Sequence, residues 1–203
     1  MNKNSQIFVA GQNTIEGKSL IRMMVKKGYR NIINLKEHEP DLTDYKKVEL
    51  YFKTFHPEYV FHLAGKQGGI KANEEMPSTL MIDNLKINSN IIEIAYLTNV
   101  EKLIFLGRSC VYPKFAKQPM KPEMLMSGLL EPTNSAYATS KLAGIELCKA
   151  YQSEHNKNFI SVIPANVFGP EDDFSLNDSH VIPAIMMKID KAKLGNESSV
   201  EIW

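Results

Sequence analysis

Tyr137 and Lys141 lie four residues apart in the run NSAYATSK. On a helix that spacing puts both side chains on one face. A phenol titrates near pH 10 and is by itself a weak proton donor at neutral pH. A neighbouring ammonium stabilises the phenolate and lowers that pKa. The pair then becomes a general acid for an oxygen whose carbon receives a hydride. The chain has 8 tyrosines, and with lysine common about one such spacing is expected by chance. Spacing alone therefore leaves a functional pair and a coincidence equally open.

A second group of reactive types follows the apolar run EKLIFLG, in LGRSCVYP. Arg108, Ser109 and Cys110 crowd the end of what reads as a buried strand. A thiol there and the imidazole of His180 both titrate within reach of neutral pH. A lone cysteine after a buried strand is more often packing, and His180 could equally cap a helix, so neither is singled out by composition.

The third group is the loop VAGQNTIEGKSL. Gly11 and Gly17 flank a turn from a strand into a helix, whose N-terminus favours a pyrophosphate. A dinucleotide fingerprint has a third glycine between them. Here that position is Thr14, whose Cβ crowds an approaching phosphate, and Glu16 adds negative charge. A cofactor loop and a plain strand–helix turn both fit. Near residue 36, Lys36 suits the 2′-phosphate of NADP and Glu37 the ribose hydroxyls of NAD. Both types are present, and a solvated turn is a third reading.

The elements that would position these groups alternate. Gln6–Ala10, Asn31–Leu35, Tyr59–Leu63, Lys102–Leu106 and Phe159–Ile163 read as strands. Ile15–Lys27, a segment capped by Thr43 and ending at Pro57, Thr79–Asn99, Asn134–Glu154 and about Val181–Ala192 read as helices. The strands are continuously apolar, as in a parallel sheet covered on both faces. The expected fold is an α/β, Rossmann-type, doubly wound parallel sheet, whose ligands bind beyond the carboxyl ends of the strands. Composition turns polar after Gly169-Pro170, so residues 1–170 are expected to form an NAD(P)-binding domain and 171–203 the beginning of a smaller substrate domain. Val200–Trp203 reads as a strand cut off at its start, so the chain is expected to be a fragment.

At 203 residues with a net charge of +1, the chain carries no basic excess that would point to nucleic acid or an anionic membrane. Its 2 cysteines form neither a metal spacing nor a disulfide framework. The N-terminal apolar run is too short for a signal peptide, and no stretch approaches a membrane span. A cytoplasmic protein without a metal is the expectation.

The motifs together resemble the extended short-chain dehydrogenase/reductases, and within them the GDP-L-fucose synthase family. The resemblance spans nearly the whole chain. It is carried most specifically by GGIKAN (68–73), SCVYPKFAKQPM (109–120), LEPTNSAYATSKLAGIELC (130–148), GPEDDF (169–174) and SHVIPA (179–184). It implies an oxidoreductase and isomerase that converts GDP-4-keto-6-deoxy-D-mannose to GDP-L-fucose by epimerisation at C3 and C5 and NADP-dependent reduction at C4. Tyr137 would protonate O4, and Lys141 would tune it and hold the nicotinamide ribose. Cys110 and His180 would exchange the C3 and C5 protons. The cofactor would contact Gly11, Gln12, Asn13, Thr14, Ile15, Glu16, Gly17, Lys36, Leu106, Gly107 and Lys141. It would also contact Pro164, Ala165, Asn166, Val167 and His180. Lys188 and Trp203 match positions that contact the GDP-sugar, and Lys36 favours NADP(H). A homodimer is implied, with Thr79–Asn99 and Asn134–Glu154 at the interface.

Three positions depart from that pattern. The family's catalytic serine, four residues before the tyrosine of VYP, is Arg108 here. Arginine donates hydrogen bonds but stays protonated and accepts none. It would either polarise the C4 carbonyl or fill the site. Ser109 is adjacent, but neighbours on a strand face opposite ways. Thr14 replaces the loop glycine, and Asn13 a basic residue near the cofactor phosphate. Another nucleotide-sugar epimerase of the same group, or a non-catalytic relative, are the alternatives these departures raise.

Overall fold

The computed structural model describes residues 1–203 apart from 69, 175–178, 180 and 202–203, with 70–72 described as backbone only. Elements follow in the order β1 (Ile7–Ala10), α1 (Ile15–Lys26), α2 (Tyr45–Phe55), β2 (Tyr59–His62), α3 (Ile70–Glu75), α4 (Pro77–Leu97), β3 (Lys102–Leu106), α5 (Ser135–His155), β4 (Asn158–Val162) and α6 (Val181–Leu194). The chain divides into two compact units, Met1–Asn166 and Val167–Trp203.

In the first unit, four strands form one parallel sheet in the order β1-β2-β3-β4. Successive side chains of a strand point to opposite faces. In β1, Phe8 and Ala10 accordingly join Val48, Phe52, Ile91, Leu103, Phe105 and Ile145 in the larger core. Ile7 and Val9 meet Met24 and Leu63 in a smaller one, against which Leu20 and Ile21 of α1 pack.

The expected strand Asn31–Leu35 reduces to a single parallel bridge, Ile32 to Ile7, followed by a 3-10 turn at Ile33–Leu35. The physical reason is Asn34. Its buried amide oxygen accepts from the Val9 N–H at 2.8 Å, taking a ladder bond that a strand carbonyl would otherwise take. Because Ile7 also pairs with Tyr59 of β2, the bridge lies on the opposite edge of β1. The chain thus runs to one side of β1 and then to the other, which makes the end of β1 a topological switch point.

Other boundaries shift by one or two residues. Asp44, one place beyond the expected cap Thr43, accepts from the Lys46 and Lys47 amides at the start of α2. β4 begins and ends one residue earlier than expected.

Helix α4 buries three asparagines, and each closes a contact that shapes the sheet edge. Asn84 donates to the carbonyls of Lys66 and Leu80 and accepts from the Lys66 amide. Asn88 donates to the Ser140 carbonyl of α5, and Asn90 to Leu42. Buried amides with their donors and acceptors used lock neighbouring elements in register.

The second unit carries α6. Within it Lys188 donates to the Glu201 carbonyl oxygen at 3.1 Å. Among the described residues no helix is long and apolar enough to cross a membrane, and no cluster of metal-binding side chains occurs.

Candidate active site

The first wall of the site is the β1–α1 loop. Gly11 has φ +87°, and a Cβ there would lie 2.7 Å from the Ala64 nitrogen. A Cβ on Gly17 would lie 2.2 Å from the Gly11 oxygen. Both positions need glycine, one for its backbone conformation and both for close approach. Thr14 is the N-cap: its hydroxyl accepts from the Gly17 amide at 3.1 Å and donates to the Gly11 carbonyl at 2.9 Å. The first amides of a helix have no partner inside it. With Gly17 taken by Thr14, those of Ile15 and Glu16 remain at this end of α1, a fitting place for an anionic diphosphate.

Glu39 enters this loop unannounced by any motif. Its carboxylate accepts from the Gly11 amide at 2.6 Å and also reaches the Gln12 amide. Burial raises its pKa while those two amides pull it down. Lys36, the expected partner of a 2′-phosphate, is exposed at the end of the 3-10 turn.

The second wall is α5. Tyr137 and Lys141 are both buried. Lys141 donates to the Ala64 carbonyl at 3.1 Å, and its ammonium lies 5.3 Å from the Phe105 ring centroid. Gly65 makes room for it: a Cβ there would lie 2.8 Å from Asn84 Oδ1 and 2.9 Å from Lys141 Nζ. Burial, with Arg108 nearby, lowers the Lys141 pKa to about 8. The Tyr137 hydroxyl is buried without a hydrogen bond of good geometry among the described residues. Burial pushes it up to about 12, and the guanidinium of Arg108 draws it down. Four-residue spacing alone attributes that lowering to Lys141. In the folded chain the cation acting on the phenol is Arg108, and burial outweighs it.

The third wall follows β3. After Gly107, whose amide donates to the Val162 carbonyl, Arg108 is extended and a 3-10 turn begins at Ser109. The Arg108 guanidinium lies 3.0 Å from a carboxylate oxygen of Glu16, and the two side chains are only 19% and 11% exposed. Cys110 sits in the turn as a free thiol, raised by burial and lowered by Arg108. Ser109 points elsewhere: its hydroxyl donates to Asn166 Oδ1 at 3.2 Å, on the loop after β4.

Arg108, Cys110, Tyr137, Lys141 and Glu16 therefore form one electrostatic group at the carboxyl edge of the sheet. Pro164, Ala165 and Asn166 lie on the loop after β4. Val167 and Lys188 belong to the second unit. His180 and Trp203 lie outside the described residues. Sequence reasoning missed Glu39 and the Glu16–Arg108 pairing. The signal was a complementary pair of unusual charges at two rims of one sheet edge.

A parallel sheet with its switch point at β1, a glycine turn into a helix N-terminus and a Tyr–Lys helix on the same edge define a Rossmann-type α/β protein. The chain belongs to the NAD dependent epimerase/dehydratase family, whose model matches residues 7–203. It is 42% identical over 203 residues to the putative GDP-L-fucose synthase 2 of Arabidopsis thaliana, all of this chain and 62% of that protein. Among solved structures it resembles the GDP-mannoheptose C4 reductase MlghC of Campylobacter jejuni with NADP bound, with a TM-score of 0.89 and 35% identity, covering 97% of this chain and 59% of that one. It also resembles a GDP-L-fucose synthetase of Naegleria fowleri bound to NADP, with a TM-score of 0.88 and 30% identity, covering all of this chain and 66% of that one. The chain spans about 62% of the length of the curated relatives it matches.

Proposed function

We propose that the chain belongs to an NADP-dependent nucleotide-sugar epimerase/reductase of the GDP-L-fucose synthase type, acting on GDP-4-keto-6-deoxy-D-mannose. The observation that carries this reading is the buried Tyr137 hydroxyl, with no acceptor for its proton among the described residues and facing a guanidinium, one helical turn from a buried ammonium. A buried donor without an acceptor fits a site that supplies its partner with the substrate.

NADPH supplies the hydride when bound. The amides of Ile15 and Glu16 at the end of α1 suit its diphosphate, and Lys141 its nicotinamide ribose. Tyr137 gives its proton to O4 as the C4 carbonyl becomes an alcohol. The C3 and C5 hydrogens flank that carbonyl and are acidic for that reason. Cys110 removes or returns one of them, and the role implied for His180 is its counterpart. Burial keeps the Cys110 thiol protonated in the free chain, while Arg108 favours its thiolate. Lys188 and Trp203 are proposed to meet the GDP-sugar. Relatives named for GDP-L-fucose synthesis and for C4 reduction of a GDP-sugar support the substrate class.

The same reading includes a cytoplasmic home, supported by two free cysteines, and a homodimer through α4 and α5. Ile82 and Leu97 of α4 are left exposed, as such an interface would require.

Arg108 favours a second reading, an epimerase of the same family without net reduction, because it alters the C4 end and spares Cys110. One experiment separates them. The full chain is incubated in D2O with NADPH and GDP-4-keto-6-deoxy-D-mannose, and the product is examined by mass spectrometry and NMR. The first reading gives stoichiometric NADPH oxidation with solvent deuterium at C3 and C5. Deuterium without oxidation supports the second, and neither event overturns both.

A further inference from the structure

Glu16 is a carboxylate in the first turn of α1, and Arg108 is a guanidinium beyond β3. β2 lies between their strands, so the ion pair reaches across the carboxyl end of the middle strand. Both groups are mostly buried. A buried carboxylate needs compensation, and neither oxygen of Glu16 makes a hydrogen bond of good geometry among the described residues. The helix N-terminus and Arg108 supply that compensation as charge. Arginine in turn has a long, rotamer-rich side chain and five N–H donors. Glu16 engages one end of the fork, which leaves donors over for the Tyr137 side of the site. The guanidinium acts on the Tyr137 hydroxyl more strongly than the Glu16 carboxylate does, so the cation is the nearer of the two in effect.

We propose that Glu16 is a positioning residue: by anchoring Arg108 it holds a fixed cation beside the Tyr137 hydroxyl, at the oxygen to which that tyrosine gives its proton. The role at the oxygen rests on the reductase reading above. In that step hydride adds to the carbonyl carbon and the π electrons of the C=O bond move to oxygen. The Tyr137 O–H bond breaks as the new O–H bond forms, and water later returns a proton to the phenolate. Arg108 donates hydrogen bonds throughout and releases no proton.

The competing account is a strap that joins α1 to the end of β3 and leaves the phenol alone. The titration of Tyr137 separates the two by sign. The titratable groups facing its hydroxyl are Arg108 and Cys110 from the segment after β3 and Glu16 from α1, with Lys141 one turn along α5. The full chain is labelled with 3-fluorotyrosine, whose more acidic phenol brings the titration into reach. Its 19F resonances are followed against pH, and Tyr137→Phe assigns the signal.

Arg108→Ser removes the cation and moves the titration upward by about one pH unit or more. Glu16→Gln also moves it upward, because the released guanidinium swings away. Glu16→Asp, which keeps the charge but withdraws it by one methylene, shifts it the same way and reports if Glu16→Gln does not fold. A downward shift in the Glu16 variants, expected if the carboxylate acts only as a nearby negative charge, overturns the proposal. So does no shift, the result expected of a strap. The titration needs neither cofactor nor sugar, so its outcome stands apart from failure of the reductase reading.

Discussion

Lys141 donates its ammonium to the Ala64 carbonyl oxygen at 3.1 Å, through a gap that only a glycine at position 65 leaves open. The lysine of α5 is thereby pinned to the loop after β2, and burial brings its pKa from 10.5 to about 8. An amine whose folded pKa lies below its unfolded value binds fewer protons when folded. Stability from this group is therefore lowest below pH 8 and rises as pH climbs from about 8 to 10.5. Across that window the gain is roughly 3 kcal/mol at most. Lys141→Met removes the group. Denaturant unfolding of the two proteins at several pH values is expected to show wild type gaining on the variant over this window, and not below it.

His62 makes the opposite end of the pH range informative. It is fully buried on β2. Its Nε2 lies 3.1 Å from Asn88 Oδ1, and the Asn88 amide nitrogen is already spent on the Ser140 carbonyl. The imidazole is therefore neutral with its proton on Nε2. Burial, with Lys141 adding to it, brings its pKa from 6.5 to about 3. The unfolded chain takes up a proton below pH 6.5 and the folded chain does not. Stability from this group is lost as pH falls from 6.5 toward 3, at up to about 1.4 kcal/mol per pH unit. His62→Leu costs about 1–2 kcal/mol at pH 7 by orphaning the Asn88 oxygen. Its acid limb is expected to be flatter, so melting temperatures of the two proteins converge between pH 6 and pH 4.

Some of this site could be read directly from the residues. The glycines of the first loop announced their turn because a side chain at Gly11, which has a positive φ, or at Gly17 would run into neighbouring backbone. Four-residue spacing placed Tyr137 and Lys141 on one face. It could not report depth, and depth sets their pKa values. The strand expected at Asn31–Leu35 failed because one side chain, Asn34, mimics a backbone acceptor, which no apolar pattern records. Glu16 and Arg108 each stood out as a charge in an odd place. Their pairing arises only when the parallel sheet brings the ends of β1 and β3 together.

Thr14 spends its hydroxyl on capping α1. Its hydroxyl occupies the Gly17 amide, a donor that a phosphate could use. Replacing a threonine cap with glycine costs only a few tenths of a kcal/mol. A freed donor to a charged group is worth about 1.5 kcal/mol, or roughly tenfold in affinity. Thr14→Gly is expected to leave the melting temperature nearly unchanged and to bind NADPH about tenfold more tightly by calorimetry.

The role proposed for Tyr137 is proton donor in a hydride transfer at this sheet edge. It is tested by absorbance at the NADPH band in the full chain with GDP-4-keto-6-deoxy-D-mannose, comparing wild type with Tyr137→Phe. NADPH oxidation matched to sugar consumed is expected in the wild type, with a fall of about 100-fold or more in the variant. NADPH left unoxidised by the wild type, or oxidised as fast by Tyr137→Phe, would contradict it.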